Sequence, residues 1–558
     1  VSGKLWVLAL AFLVACGDPQ PHPLSGVLIT LDTTNAPALD FYGKDRGITP
    51  YLAALAAESV VFDRAHTVAP MTLPAHASMM TGLYPLRHGV RDNGLMRLTG
   101  EAQTLAECAG EVGHETAAFV AAVVLSSSYG LEQGFDVFDE PRVESTGAVP
   151  TMSERNSRVI TDAALAWLED RDPARPFFLW VHYFDPHMPW SAPPEFVERA
   201  GGNGYHAEVA AMDEDIGRLL AGLREHVGLD QLFLAVVADH GEALGRHGEM
   251  THSAFCYQET IQVPLLLRFP DGRRAGTRSA DTVSVVDLFP TFLDELGLES
   301  QEGLDGLSLA RGASDPDRGV YVESYSGYLN YGWSPLAGWI DARGKYLHSS
   351  TPEFYDLRSD PTEAHNLFAD GQTDTGRYRE ALEELARRPK LVSATGVRLS
   401  RKQLDELRAL GYAAGGEVAG ALPGPLDPSD RPAPAERSAQ YTKFTKALGL
   451  AQEGRNVAAI KLLREVLAEN RGNVYALETL GGALLAERRY AEAVEALESL
   501  LASGADRHWA RTCLGTAYEK LGEYDQALLH LERANTLKPG EASLERAIQR
   551  VRQKRAGD

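Results

Sequence analysis

The sequence predicts an α/β domain built on a mixed, mostly parallel sheet, with a small antiparallel subdomain at its end, followed by an all-helical repeat domain. Three observations carry this. From Gly26 to about Leu399, short aliphatic or β-branched runs alternate with helical patterns, as expected for a sheet covered by helices on both faces. Residues 413–436 are crowded with Gly and Pro and lack periodicity, which sets a linker there. Beyond the linker, Leu480-Gly481, Tyr490-Ala491 and Ala493 return 34 residues later as Leu514-Gly515, Tyr524-Asp525 and Ala527.

The predicted strands are Val27–Leu31, Thr116–Val120, Phe177–Val181, Leu232–Ala238, Val263–Arg268 and Val320–Glu323. Thr49-Pro50 opens a helix through Ser59, with Thr as N-cap and Pro at the first helical position. Ser153–Asp170 and His206–Glu225 carry apolar residues at three- and four-residue spacing and are read as covering helices. Between Trp339 and Leu357 the pattern changes to short strands and turns, such as Lys345-Tyr346-Leu347, which defines the antiparallel subdomain. The C-terminal period has a weaker earlier copy at Ala447, Asn456 and Ala459, and Pro539 closes the last one. It resembles the tetratricopeptide repeat, in which small residues let paired helices pack closely and stack; the resemblance implies a protein or peptide partner in the concave face.

The chain has 558 residues and a net charge of −23, which disfavours nucleic acid as a partner. Four widely spaced cysteines build no disulfide framework and no zinc ribbon. The longest apolar run, Leu5 to Cys16, falls short of the roughly 18 residues that span a bilayer. Lys4, this run and Leu13-Val14-Ala15-Cys16 read instead as a lipoprotein signal peptide with a lipobox, which makes Cys16 the lipidation site. The expected organisation is a signal peptide over 1–15, a Pro-rich tether over 16–25, a catalytic domain over 26–412, the linker over 413–436 and the repeats over 437–558. An exported bacterial lipoprotein follows, anchored to a membrane through its lipid. The periplasmic side of the outer membrane is favoured, because Gly17 stands where inner-membrane retention favours Asp.

Asp32 follows directly on one predicted strand and Asp239-His240 on another. Residues just past strand C-termini converge on one rim of an open α/β sheet, where active sites form. Two hard oxygen ligands and an imidazole suit a divalent metal such as Zn²⁺ or Mn²⁺, although a single strand-end acid is also a common helix cap. In Pro70-Met71-Thr72-Leu73-Pro74-Ala75-His76-Ala77-Ser78, Pro74 suits the first turn of a helix and leaves Thr72 just ahead of its N-terminus. Thr72 is thus either a nucleophile or a plain N-cap.

Thr72 to Gly82, with Leu83-Tyr84-Pro85 and Arg87-His88-Gly89-Val90, resembles the sulfatase signature: a nucleophile, Pro two residues on, a basic residue four residues on, and Thr-Gly at the end. Val27–Asp32 is similar to the family's first strand and metal acid, and Ala238-Asp239-His240-Gly241-Glu242 to its second metal motif. Asp185-Pro186-His187, the helix with Asp213 and Gly217, Tyr257 with Val263-Pro264-Leu265, and Glu353-Phe354-Tyr355-Asp356-Leu357 follow in the family's order. The resemblance covers nearly all of 26–412. It implies an alkaline-phosphatase-like fold and a metal-dependent hydrolase of anionic sulfate or phosphate esters, with metal ligands Asp32, Thr72, Asp239 and His240.

The departures matter as much. Sulfatases proper carry Cys or Ser at the position of Thr72, because that side chain is oxidised to formylglycine. Thr is the nucleophile in the superfamily's phosphodiesterases and phosphoethanolamine transferases, so phosphoesters are favoured here. His76 replaces the family's arginine and Thr33 a second acid used for Ca²⁺, so one Zn²⁺ or Mn²⁺ ion is favoured over Ca²⁺. The resemblance puts His187 and His252 at substrate-contacting positions; alternatively, Asp185, His187 and His252 hold a second metal. His247 reads as a surface or loop histidine, and Arg91 and Lys345 are anion contacts or structural charges. Transfer to another alcohol from the same site, or an inactive exported scaffold acting through its repeats, are the competing functions.

Overall fold

The computed structural model describes residues 24–43, 46–141, 155–312, 315, 317–370, 374–390, 395–397, 421–503 and 506–557. Cys16 and the signal segment lie outside the described residues, as do 413–420 of the linker.

The main sheet runs in the order Thr277–Ser284, Val60–His66, Leu265–Arg268, Leu232–Ala238, Ser25–Leu31, Phe177–Tyr183, Glu115–Phe119, Val137–Asp139, with Gln262–Val263 beside Val60–His66. Neighbours are parallel except for Leu265–Arg268, which is antiparallel to both its partners, and Gln262–Val263, which is antiparallel to Val60–His66. The three central strands Leu232–Ala238, Ser25–Leu31 and Phe177–Tyr183 are buried along their whole length, as expected for strands covered on both faces.

Several expectations need correction. Val320–Ser324 does not join the main sheet; it pairs with Leu336–Ile340 and opens a four-stranded antiparallel sheet that continues through Lys345–His348 and Glu353–Tyr355. The predicted strand Val263–Arg268 is broken at Pro264, which has no N–H for the ladder. Val60–His66 and Thr277–Ser284 escaped the sequence reading because their charged residues (Asp63, Arg64, Arg278, Asp281) interrupt the apolar pattern. The helix expected over 153–170 spans Ser157–Asp170, capped by the Asn156 side chain.

The repeats form three helix pairs, Ser438–Gln452 with Asn456–Glu469, Val474–Ala486 with Tyr490–Ala502, and His508–Leu521 with Tyr524–Leu537, closed by Ala542–Gly557. The 34-residue period has a steric cause. A Cβ at Gly481 would lie 2.5 Å from Leu497, and one at Gly515 would lie 2.5 Å from Leu531. Buried Ala447 and Leu463 make the equivalent pair in the first repeat.

Few contacts were expected between linker, repeats and catalytic domain, and the structure overturns this. The Tyr325 hydroxyl donates to Pro423 O (2.8 Å), Ser334 N–H to Pro432 O (2.9 Å) and Arg431 Nη1 to Tyr328 O (2.9 Å). Phe255, Tyr331 and Trp333 of the catalytic domain share one hydrophobic core with Tyr441, Phe444 and Tyr475 of the repeats. Tyr441 stacks edge-on against Phe255 (5.7 Å), and Tyr331 against Phe444 (5.6 Å). The first helices of the leading repeats therefore pack on the protein's own catalytic domain.

Candidate active site

Register brings the two acids together. Ser25–Leu31 lies between Phe177–Tyr183 and Leu232–Ala238, with Leu31 opposite both Tyr183 and Ala238. Asp32 N–H continues the ladder to Tyr183 O (2.9 Å) and Asp239 N–H to Leu31 O (3.2 Å), so both carboxylates emerge at the same rim. Thr33, at φ 48°, turns its N–H to Asp239 Oδ1 (3.3 Å). The Asp-His-Gly turn needs its glycine, because a Cβ at Gly241 would lie 2.1 Å from Glu259 O. Asn35 secures the next residue: it accepts Glu242 N–H (2.6 Å) and donates to Glu242 O (2.8 Å).

Thr72 opens the helix Thr72–Thr81, and Met71 is the N-cap residue. The sequence placed Thr72 one step outside the helix. Pro74 instead occupies the third helical position, where its missing N–H still falls among the helix's unpaired donors. No side chain caps this end through Met71, and Leu73 N–H is satisfied by Asn93 Oδ1 (2.8 Å), so Thr72 is not spent as a cap. Its Oγ1 lies 3.3 Å from His240 Nε2 and 3.5 Å from Asp32 Oδ2, fully inside the protein.

Asp32, Asp239 and His240 bring one ligand atom each within 4.8 Å of one another. The donor set fits a divalent cation. Asp32 Oδ1 and Asp239 Oδ2 are buried with no hydrogen-bond partner, and His240 Nδ1 lies 3.1 Å from Gly241 O, which leaves Nε2 as the free nitrogen. His76, His182 and Asp239 form a second such group. There Ala121 N–H donates to His182 Nδ1 (3.3 Å), so in neutral His182 it is Nε2 that carries the hydrogen, 3.5 Å from Asp32 Oδ2. That tautomer turns the Nε2–H toward Asp32 at a distance beyond a formed hydrogen bond, so His182 faces the acids through a protonated nitrogen. His76 Nδ1 faces Thr72 O (2.8 Å).

Burial sets the electrostatics. It raises the carboxyls of Asp32 and Asp239 well above the usual range, Glu242 adding to the first and Asp32 to the second. Burial raises Glu242 as well. It lowers His76 and His240, and brings His182, His187 and His252 down to about 3, so all five imidazoles are neutral at pH 7. No Lys or Arg is among the groups acting on Asp32, Asp239 or Glu242. Three acids in a dry pocket without a cationic side chain carry a large charging penalty, which a bound cation removes.

His187 and His252 face each other across this pocket at 5.3 Å, and His252 packs on His240 at 4.3 Å. His187 Nδ1 faces Met188 O (2.7 Å), while its Nε2 is buried without a partner. Asp185 does not join them: its Oδ2 accepts Ser157 N–H (2.7 Å), and among the described residues Asp185, His187 and His252 form no ligand group. Arg91 is held by Glu323 (Nε to Oε1 2.7 Å) and Lys345 by Glu363 and Cys256 O, so both are structural charges. His247 stacks on Tyr257 at 3.9 Å, away from the acids. The sequence reading missed His182 and Asn93. His182 had a signal: it is the one imidazole in the otherwise aliphatic and aromatic strand Phe177–Tyr183.

A buried alcohol beside two strand-end acids and a histidine, on a mixed α/β sheet with its rim at the strand C-termini, defines an ester hydrolase of the alkaline phosphatase superfamily. Residues 26–298 match the sulfatase family model, residues 245–388 the C-terminal region of N-sulphoglucosamine sulphohydrolase, and residues 450–513 a tetratricopeptide repeat model. Residues 26–298 thus form a sulfatase-family domain, and the C-terminal helices are tetratricopeptide repeats. Among its relatives are an N-acetylglucosamine-6-O-sulfatase of Bacteroides thetaiotaomicron, 24% identical over 69% of this chain and 90% of that protein, and an ulvan-active sulfatase of Formosa agariphila, 26% identical over 66% and 83%. A solved sulfatase-fold structure in complex with its substrate D-glucosamine-2-N,6-O-disulfate superposes with a TM-score of 0.58 (22% identity, 66% of this chain, 98% of that one). The phosphonate monoester hydrolase of Agrobacterium radiobacter gives 0.56 (21% identity, 67% and 100%). The family uses a divalent metal, which accords with the Asp32, Asp239 and His240 group.

Proposed function

We propose that this protein hydrolyses phosphoesters through Thr72, with a divalent metal, Zn²⁺ or Mn²⁺, held by Asp32, Thr72, Asp239 and His240. The observation that carries the reading is the position of Thr72 Oγ1 between Asp32 Oδ2 and His240 Nε2. A bound divalent cation would lower the pKa of the Thr72 hydroxyl and offset charge on the transferring group. Asp32 Oδ2 is the acceptor toward which the hydroxyl hydrogen is directed. Thr72 Oγ1 forms a bond to phosphorus while the bond to the leaving oxygen breaks, and the proton that Thr72 gives to Asp32 passes to the departing alcohol. His187 Nε2, buried and unpartnered, then accepts a proton from the water that attacks phospho-Thr72 and returns it to the departing Thr72 oxygen, releasing phosphate and the free hydroxyl.

The solved neighbours named above act on a disulfated glucosamine and on phosphonate monoesters, so the fold leaves the anion open. The nucleophile favours phosphorus, because a threonine, a secondary alcohol, cannot be oxidised to the aldehyde on which formylglycine chemistry depends. Acid-quenching a turnover mixture and mapping phosphorylated peptides tests this. Phosphate on Thr72 is expected, and its absence at every time point during turnover would overturn the nucleophile assignment. We also propose, from the lipobox, that the chain is exported and anchored through Cys16; labelled fatty acid that persists in Cys16→Ser would refute this.

A further inference from the structure

The mouth of the site is apolar. His187 is followed by Met188-Pro189-Trp190-Ser191-Ala192-Pro193, where Ser191 is the single polar side chain, and Met188 and Trp190 are 37% and 39% exposed. The Trp190 ring is a fixed platform: its Nε1–H donates to Pro186 O (3.0 Å), and it meets Tyr205 edge-on at 6.1 Å. Across the pocket, the hairpin between His240 and His252 is closed by Ala243 N–H to Thr251 O and Gly245 N–H to Glu249 O, both 2.8 Å. It presents Leu244 and Met250, 40% and 47% exposed, with Met250 Sδ folded back over Gly245. Leu244 stands at φ 52°, in the left-handed region that a bulky side chain avoids; such strain persists where the surrounding structure holds it and gathers at ligand clamps.

Isolated exposed apolar residues are ordinary, but four concentrated on the two segments that carry the facing histidines are not. Each lies within four residues of His187, His240 or His252 in the chain, which keeps all four near the histidine cluster. Of the hairpin's charges, Arg246 pairs with Glu259 (3.2 Å), Glu249 is buried and accepts Ala254 N–H (2.8 Å), and Glu242 is buried against His252, so Arg246 is the one at the surface. Sugar recognition relies on many polar contacts, and this rim offers few.

We propose that Met188, Trp190, Leu244 and Met250 form a binding site for the apolar leaving group of the ester, an aryl or long-chain alcohol, so that the substrate class is an apolar phosphoester and not a charged glycan. This rests on the ester-hydrolase reading for the anion's place at Thr72. The test is direct binding to the full-length, metal-supplemented protein, measured by calorimetry with alkylphosphonates from methyl to octyl and, in a second arm, with phenyl- and naphthylphosphonate. Kd should fall about threefold or more per added methylene, the effect of burying a methylene group. The slope should flatten in Met250→Ser and in Trp190→Ala; a response to ring size alone would identify the aryl source, and a response to chain length the alkyl one. Equal Kd across both series, or dependences unchanged in both variants, would overturn the proposal. Because binding needs no turnover, failure here is distinct from failure to hydrolyse any ester, which would count against the catalytic reading alone.

Discussion

Thr72 Oγ1 stands 3.3 Å from His240 Nε2 although the two residues are 168 positions apart and belong to different layers of the fold. The contact joins the N-terminus of a helix to the C-terminal end of a strand, and a nucleophile is credible only where both converge. Thr72→Ser keeps the hydroxyl and is expected to retain partial activity. Thr72→Ala should lose ~10³-fold or more in kcat, as when a nucleophile is removed, while still binding metal through Asp32, Asp239 and His240. Wild-type turnover by Thr72→Ala would reduce Thr72 to a helix residue.

Burial pushes the acids of the site above the usual carboxylate range, and this gives metal binding a proton signature. Asp32 and Asp239 have folded-state pKa values above the ordinary carboxyl value, so in the metal-free protein they weaken stability as pH rises from about 4 toward the folded values. A divalent cation requires the ionised form and must displace those protons. Titrating Zn²⁺ into metal-free protein near neutral pH, in buffers of different ionisation enthalpy, should show proton release that shrinks in Asp239→Asn. Chelation should lower Tm and abolish hydrolysis; a metal-free protein with unchanged Tm and activity would refute the metal's role.

Much of this was legible in the sequence, and the limits are physical. Asp32 and Asp239-His240 were readable because a parallel sheet sends strand ends to a common rim, and the 34-residue period because Gly481 and Gly515 repeat one steric demand. What escaped depended on contacts distant in sequence. His182 has no motif around it; its meaning comes from lying beside Thr30 in the neighbouring strand, two residues before Asp32. Val60–His66 was hidden because Asp63 and Arg64 break its apolar run, with Asp63 paired to Arg278 of the adjacent strand. The docking of the repeats was invisible because Tyr441, Phe444 and Tyr475 look like ordinary repeat-core aromatics until Tyr331 is seen against them.

His182 Nε2 lies 3.5 Å from Oδ2 of Asp32, the carboxylate that faces Thr72, and a polarised N–H at that distance is expected to restrain it. His182→Gln retains an N–H donor and is expected to keep metal affinity within a few-fold, whereas His182→Ala should weaken it by about 10- to 100-fold, the usual cost of losing a group that orients a metal ligand. Calorimetric Zn²⁺ titration of both variants checks this. Equal affinity in the two would assign His182 to packing alone.

Glu519 ties the final helix to the repeat before it. Arg550 reaches it with two bonds (2.8 and 2.7 Å) and Lys554 with one (3.0 Å), and the Arg550 hydrogen bonds are the main cause of a folded pKa near 2 against an ordinary 4.5. The folded value is depressed, so the contribution to stability is complete above about pH 4.5 and is lost as pH falls toward 2. Hydrogen exchange of Ala542–Gly557, corrected for intrinsic rate, should show protection falling between pH 5 and 3 in the wild type. In Glu519→Gln it should be lower at pH 5 and nearly independent of pH.

The repeats should behave as part of the catalytic unit. Their first helix touches the hairpin that carries His252: Thr442 Oγ1 donates to Gly248 O (2.7 Å), the Tyr441 hydroxyl to His252 O (3.4 Å), and Tyr441 packs against Phe255 and Trp333. A chain ending near Tyr412 would leave Phe255, Tyr331 and Trp333 without Tyr441, Phe444 and Tyr475, exposing an aromatic surface of the kind that drives association. Such a fragment is expected to aggregate or bind ANS strongly. Extending it through Ala486, which restores all three aromatics, should recover a monomer. In the full chain, Thr442→Val removes one bond to the hairpin and should raise KM more than it lowers kcat, because the hairpin holds His252 and frames the substrate entrance. A soluble, fully active fragment ending at Tyr412 would show that the packed interface contributes nothing to the site.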